Sequence, residues 1–246
     1  MSARKLPVNK FPKQGRATFR LPFTTVDVVI FSVLEDALCI LLVRRPSGDA
    51  EPYPGKWALP GGFVNVDVDI TLEACATRKL AEKTGVSTSY LEQLGSWGGA
   101  DRDPRGWSAT HVYFALIPAE HIQLERGANA ADVSWFDVDK FVNETDLAFD
   151  HSSILATAVE RLRSKVEYTS LPAFLVPEPF SLPQLQRVYE IVLGRSIDKS
   201  GFRTRMLAAD FLVEDVYLDG TSNRPAMGYR LRDRSMPVLF PRNLGR

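Results

Sequence analysis

The chain reads as a mixed α/β domain followed by a winged helix-turn-helix domain, and three observations predict this. Runs rich in Val, Ile and Leu at residues 23–33, 37–45, 90–97, 108–116 and 133–138 have the length and composition of strands. A glycine-cornered loop, Gly61-Gly62-Phe63, feeds a helix that ends at Lys83-Thr84-Gly85. Beyond a stretch holding Pro172 and Pro177, the pattern changes to two short helices and a hairpin. The expected division is a basic arm over 1–20, an α/β domain over 21–167, a linker over 168–180 and the winged helix over 181–246.

Composition narrows the function classes. The 246 residues allow one large domain or two small ones, with the apolar content of a globular protein. No apolar run nears the 18 or so residues that span a bilayer. The N-terminal stretch, with Pro7 and Pro12, does not look like a signal peptide, so a cytoplasmic protein with no membrane partner is expected. Cys39 and Cys75 have no C-x-x-C partner and read as buried free thiols, and His111, His121 and His151 are scattered and read as structural. Formal charge balances at 30 basic against 30 acidic, but the signs are segregated. Residues 1–20 hold six basic and no acidic side chains, 21–180 hold 13 against 23, and 181–246 hold 11 against 7. An acidic body with basic ends suggests a polyanionic partner at the ends.

Taken in order, residues 1–20 lack a hydrophobic period and read as an arm, with Arg4 and Lys5 among its candidate DNA contacts. Residues 23–33 and 37–45 read as strands joined tightly through Leu34-Glu35-Asp36, and Pro, Gly, Asp and Glu between 46 and 55 read as a surface loop. Gly61-Gly62 lets the backbone turn sharply beside a ligand. Thr71 is the expected N-cap of the following helix, in which Arg78 and Glu82 form an i,i+4 pair. A second helix is expected over 152–165. Ser181-Leu182-Pro183-Gln184 is a capping-box sequence opening a third, which Gly194 ends. Asp198 then caps a fourth, whose Phe202, Met206 and Ala209 share the inward face and turn Ser200, Arg203 and Thr204 outward. Strands over 211–218 and 227–232 complete a wing, with Arg230 and Arg232 on the face opposite Tyr229 and Leu231. Lys199, Ser200, Arg203, Thr204, Arg224, Arg230 and Arg232 are the candidate DNA contacts of this domain; a helical hairpin docking on another surface is the alternative.

The stretch GGFVNVDVDITLEACATRKLAEKTGV, residues 61–86, resembles a Nudix box, G-x5-E-x7-R-E-U-x-E-E-x-G-U with U a bulky aliphatic. Arg78, Leu80, Glu82, Gly85 and Val86 fix the register. In that register Lys79 and Lys83 stand where the family has glutamates that hold magnesium on a diphosphate. The two sit one helical turn apart on a shared face, and an ammonium group has no lone pair to offer a metal. Ile70 stands where the first glutamate belongs, and Gly62 to Arg78 spans 16 positions where the pattern has 14. Asp67 or Asp69 could reach inward from the longer loop. Trp57 to Phe63 before the box, and Arg102-Asp103-Pro104-Arg105-Gly106-Trp107 after it, resemble ADP-ribose-type Nudix proteins.

The combination of this box with FSLPQLQRVYEIVLGRSIDKSGFRTRML and NRPAMGYRL resembles the NrtR family of Nudix-related regulators of NAD metabolism, over roughly residues 23–232. The resemblance implies a Nudix-type α/β/α sandwich with a mixed sheet and a C-terminal winged helix. It implies a homodimeric repressor of NAD biosynthesis or salvage genes, binding palindromic operator DNA under the control of ADP-ribose or a related nucleotide. It places Arg44, Gly61, Gly62, Phe63, Arg78, Lys79, Glu82, Lys83, Arg102, Asp103, Arg105 and Trp107 around the ligand. No catalytic residue, metal ligand or cofactor is expected, the lysines supplying the countercharge in place of magnesium. A magnesium-dependent ADP-ribose-type pyrophosphohydrolase with an accessory domain is the alternative, and a silent scaffold the third possibility.

Overall fold

The structure is a computed structural model and describes residues 21–48, 51–85, 90–122, 132–141, 147–218 and 225–241. Its elements run β1 (Phe23–Leu34), β2 (Ala37–Arg44), β3 (Trp57–Ala58), β4 (Gly61–Phe63), α1 (Leu72–Thr84), β5 (Tyr90–Gly99), β6 (Ser108–Leu116), β7 (Asp132–Asp137), α2 (Val138–Phe141), α3 (His151–Val166), α4 (Leu182–Leu193), α5 (Lys199–Ala208), β8 (Leu212–Leu218) and β9 (Ala226–Leu231). Short 3₁₀ turns occupy Ala119–His121 and Leu171–Leu175.

The first seven strands form one mixed sheet in the order β3-β2-β1-β6-β5, with β4 also on β1 and β7 on β2. Its centre is the parallel pair β1 and β6, from Phe23 opposite Ser108 to Phe31 opposite Leu116. Both faces are covered, which is why β1 reads as a nearly continuous apolar run. Side chains alternate across the pleat: Val26, Val28 and Ile30 meet Cys75, Ala76 and Leu80 of α1, while Val29 and Phe31 face Ile154, Leu155, Ala158 and Leu162 of α3. β1 turns into β2 through Glu35 and Asp36, both at positive φ (48° and 61°), the geometry of a two-residue hairpin turn.

The helix ends follow the expected chemistry. The Thr71 hydroxyl accepts from the Ala74 N–H, and Gly85 closes α1 in the left-handed region. Ser181 and Gln184 make both halves of a capping box, Gly194 closes α4, and the Asp198 carboxylate accepts from the Gly201 N–H. Phe202 and Met206 are buried on the inner face of α5.

One expectation needs correcting. The segment that the prolines marked as a linker is core: Thr169, Ser170, Leu171, Ala173, Phe174, Leu175, Val176 and Phe180 are buried. Its apolar residues dock between α3 and α4, and Pro172 sits in the first turn of the 3₁₀ segment rather than in an open loop. The C-terminal strand-like residues bind it from the other side, with the Phe240 N–H donating to the Tyr168 carbonyl (2.8 Å) and the Ser170 N–H to the Val238 carbonyl (3.0 Å). One apolar cluster therefore runs from the sheet through α3 to Leu185, Tyr189, Met206, Tyr229 and Phe240. The two domains are distinct in topology and continuous in packing.

Candidate functional site

Where β4 crosses β1, the register sets Gly61 opposite Asp27 and Gly62 opposite Val26. A Cβ on Gly61 would lie 2.0 Å from the Asp27 carboxylate and 2.6 Å from the Val26 carbonyl, so only glycine permits this approach. The crossing opens a cavity of about 360 Å³, within the range of small-molecule sites. Strand residues Thr25, Asp27, Val43, Ala58, Gly61, Gly62 and Phe63 line it, with Leu59 and Arg45 beside them. Lys79 and Lys83 reach in from α1, Arg102, Asp103 and Arg105 from the loop before β6, and Phe149 and His151 from the start of α3.

The floor is a buried polar cluster. Asp27 accepts from the Thr110 hydroxyl at 2.7 Å and faces His151 Nε2 at 3.6 Å, while the Leu59 N–H donates to His151 Nδ1 at 2.9 Å. Burial works to raise the Asp27 pKa, but His151, Thr110 and Arg102 outweigh it and hold the carboxyl below its ordinary range. The walls are cationic. Arg45 donates to Glu51 (2.8 Å) and lies 5.0 Å over the Phe149 ring; Arg105 is held by Asp103 (2.8 Å) and lies 5.2 Å over Phe63. Arg102 makes a two-pronged bond to Asp150 (3.0 and 2.9 Å).

The two lysines differ from these arginines. Lys79 has only Glu82 at 3.3 Å, and Lys83, 7% exposed, has no ion-pair partner within 4 Å among the described residues. Burial lowers the Lys83 pKa below its ordinary value. Of the five cationic side chains that line the cavity, Arg45, Arg102, Arg105 and Lys79 each have a carboxylate partner, so among the described residues the unmatched positive charge is that of Lys83 on α1. No group of three or more His, Cys, Asp or Glu side chains among the described residues is placed to hold a metal ion. Asp69, one of the carboxylates that could have reached inward, is clasped by Arg78 at 2.6 and 2.8 Å, which lowers its pKa strongly. Asp67 is exposed, and so is Ile70, at 94%.

A second candidate surface is the outer face of α5. Lys199, Ser200, Arg203 and Thr204 are exposed there, and Lys199 and Arg203 have no ion-pair partner among the described residues. The wing arginines are exposed but already matched: Arg232 pairs with Asp210 at 2.6 Å and Arg230 with Asp215 at 3.5 Å. Exposed pairs of this kind are worth at most about 1 kcal/mol, so a phosphate can replace the carboxylate. Arg4, Lys5 and Arg224 lie outside the described residues.

Comparison with known proteins gives the family of both parts of the chain. Residues 23–158 match the NUDIX domain, and residues 172–231 match the NrtR DNA-binding winged helix domain. Over 93% of its length and 90% of the relative's, the chain is 43% identical to an ADPR responsive transcriptional repressor of Acinetobacter baylyi. The chain belongs to the NrtR family. It superposes on the crystal structure of Shewanella oneidensis NrtR complexed with a 27mer DNA with a TM-score of 0.80, at 41% identity, over 90% of this chain and 99% of that one. The NUDIX domain of the same NrtR, complexed with ADP ribose, matches at 41% identity and a TM-score of 0.53, over 63% of this chain and 94% of that one.

Within this NrtR frame, Gly61, Gly62, Phe63, Lys79, Lys83, Arg102, Asp103 and Arg105 line the cavity, while four other predicted residues do not. Arg44 is on the wrong face of β2: its Nε donates to the Gly55 carbonyl, and its neighbour Arg45 enters the cavity instead. Arg78 turns to Asp69 and Glu82, and Glu82 spends its oxygens on Arg78 and Lys79. Trp107 is 53% exposed beside Gly98, away from the cavity. Asp27, Arg45, Glu51, Phe149 and His151 were missed. Strand parity carried a signal for Arg45; nothing local marked Asp27 and His151, which meet only through tertiary structure.

Proposed function

We propose that this protein is a homodimeric repressor of NAD biosynthesis or salvage genes whose operator binding is controlled by ADP-ribose or a related nucleotide in the α1 cavity. The observation that carries the reading is the pair Lys79 and Lys83, set on the cavity wall at the metal-ligand positions of the Nudix box, with Lys79 held only by Glu82 and Lys83 without an ion-pair partner among the described residues. Two ammonium groups can neutralise a diphosphate without a metal. They also withhold the metal-bound water that hydrolysis needs. Incubation with ADP-ribose and magnesium should therefore leave the nucleotide intact; AMP released over many turnovers would replace this reading with the hydrolase one. In vitro selection from random duplexes, followed by shift titrations with and without ADP-ribose, tests the repressor reading. A palindromic site is expected, its half-sites about 34–36 Å apart or a multiple of this.

On that operator, α5 supplies base contacts and the wing supplies phosphate contacts. Arg203→Ala should cost on the order of 1–3 kcal/mol and relax preference at one base position, whereas Arg230→Ala should weaken all sequences alike. Specificity profiles by repeated selection read this directly. An unchanged profile for Arg203→Ala would remove it from base recognition.

Lys83 gives effector binding a pH signature. Burial depresses its pKa below the ordinary 10.5, against the opposing pull of Glu82. A bound anion raises that pKa again, so binding takes up a proton between the two values. As pH climbs through the depressed value, the free site loses its charge and affinity falls; below it, the full affinity is present. Calorimetry in buffers of different ionisation enthalpy should show net proton uptake growing as pH rises toward the depressed value, and its loss in Lys83→Met.

A further inference from the structure

The cavity and the DNA-binding face are joined by a single helix. α3 is 16 residues long, about 24 Å at 1.5 Å per residue. Its first turn belongs to the cavity: His151 lines it, and Asp150, at the N-cap position, is gripped by Arg102, which also lines it. The grip has a cost. The Asp150 carboxylate makes no capping bond to the α3 backbone, although aspartate is among the best residues for that role. Asp150 is thus committed to Arg102 at the expense of its own helix.

The far end of α3 holds the winged helix. Arg163 donates through Nε to the Val192 carbonyl near the end of α4 (3.0 Å) and through Nη2 to Asp139 (2.6 Å). Arg205, on α5 itself, donates to the carbonyl of Glu167, the residue that ends α3 (3.0 Å), and lies 5.0 Å over the Phe240 ring. Between these ends Ile154, Leu155, Ala158, Leu162 and Val166 belong to the same apolar cluster as Leu185, Val188, Tyr189 and Val192 of α4. A shift of α3 cannot be absorbed by a slack connection, because the segment that follows it is itself core.

We propose that α3 transmits the state of the cavity to α5 within one chain, with Arg102 shared between Asp150 and a bound diphosphate at one end, and Arg163 and Arg205 acting as positioning residues at the other. This rests on the reading that the cavity takes a diphosphate nucleotide. An anion within reach of Arg102 competes with Asp150 for the guanidinium. Asp150, once released, can cap the first turn of α3, and the helix N-terminus resettles as the ligand arrives. The device has two arrangements, and the ligand favours one of them, as coupling between sites requires.

Shift titrations on the selected operator, with and without saturating ADP-ribose, give the coupling of the full-length chain as a ratio of DNA affinities. Typical couplings lie at roughly 5- to 150-fold. In Arg163→Met and Arg205→Met this ratio should fall toward one, while calorimetry shows ADP-ribose still bound. Arg163→Met is the stricter test, since Arg205 lies on the DNA-binding helix. Asp150→Asn, which weakens the hold on Arg102, should move ligand-free DNA affinity toward the ligand-saturated value of the unaltered chain. Full coupling retained in both arginine variants, or a ligand-free Asp150→Asn chain indistinguishable from the unaltered one, overturns the proposal. An unaltered chain whose DNA affinity ignores bound ADP-ribose overturns the functional reading itself, a different result from either.

Discussion

Replacing Lys79 and Lys83 together by glutamate is expected to abolish measurable ADP-ribose binding in the presence of a chelator. An ammonium about 4 Å from a phosphate oxygen is worth up to about 4 kcal/mol at an effective dielectric of 20. Solvent at the cavity mouth cuts this by roughly half, and each glutamate converts the remaining attraction into repulsion. The combined loss is on the order of 4 kcal/mol or more, about a thousandfold in Kd. Adding magnesium should return part of the affinity, because carboxylates and a hard cation suit each other where carboxylates and a phosphate do not. The single variant Lys83→Met, which removes the charge without reversing it and keeps the helix packed, should show an intermediate loss. Chelator-insensitive binding by the doubly substituted chain would show that the lysines do not hold the diphosphate.

Phe180→Ala carries the other large effect. Phe180 is fully buried, its backbone pairs with Tyr229 through two hydrogen bonds (2.9 and 2.7 Å), and it sits in the cluster common to both domains. Truncating such a side chain costs about 3–5 kcal/mol, a large share of the 5–15 kcal/mol that holds a domain folded. All four tryptophans, Trp57, Trp97, Trp107 and Trp135, lie in the Nudix part. Urea unfolding followed by tryptophan fluorescence should therefore shift strongly to lower denaturant, although the substitution is outside that part. An unmoved tryptophan midpoint would mean that the two domains unfold independently.

What could be read in advance follows the range of the interactions involved. Thr71, Ser181, Gly194 and Asp198 act on backbone groups within four residues, so their capping roles were legible as sequence. The lysines at 79 and 83 were legible because a helix fixes the face they share. Arg45 rather than Arg44 lines the cavity because an extended chain gives neighbours opposite faces, and one position of uncertainty exchanges them. Asp27 and His151 stand 124 positions apart and meet only where β1, the residue after Ala58 and the start of α3 converge. The misjudged linker is the instructive miss. Pro172 and Pro177 argued for a loop, while Leu171, Phe174, Leu175, Val176 and Phe180 argued for burial, and apolar area outweighed the local signal.

The parallel pairing of β1 with β6 has a consequence for turnover of the protein. The cavity floor joins residues more than 80 positions apart, Thr25 set opposite Thr110 and Asp27 bonded to Thr110, so it exists only after a distant contact has closed. Contacts of that separation form slowly, and the unfolded chain offers the nucleotide nothing to hold. A ligand bound only by the native state adds about 2.7 kcal/mol to its stability at 100 times Kd. Proteases that attack the open chain then find a hundredth as much of it. If the cavity takes the proposed nucleotide, cells rich in it would accumulate more of this protein, so its abundance would follow nucleotide supply with no change in synthesis.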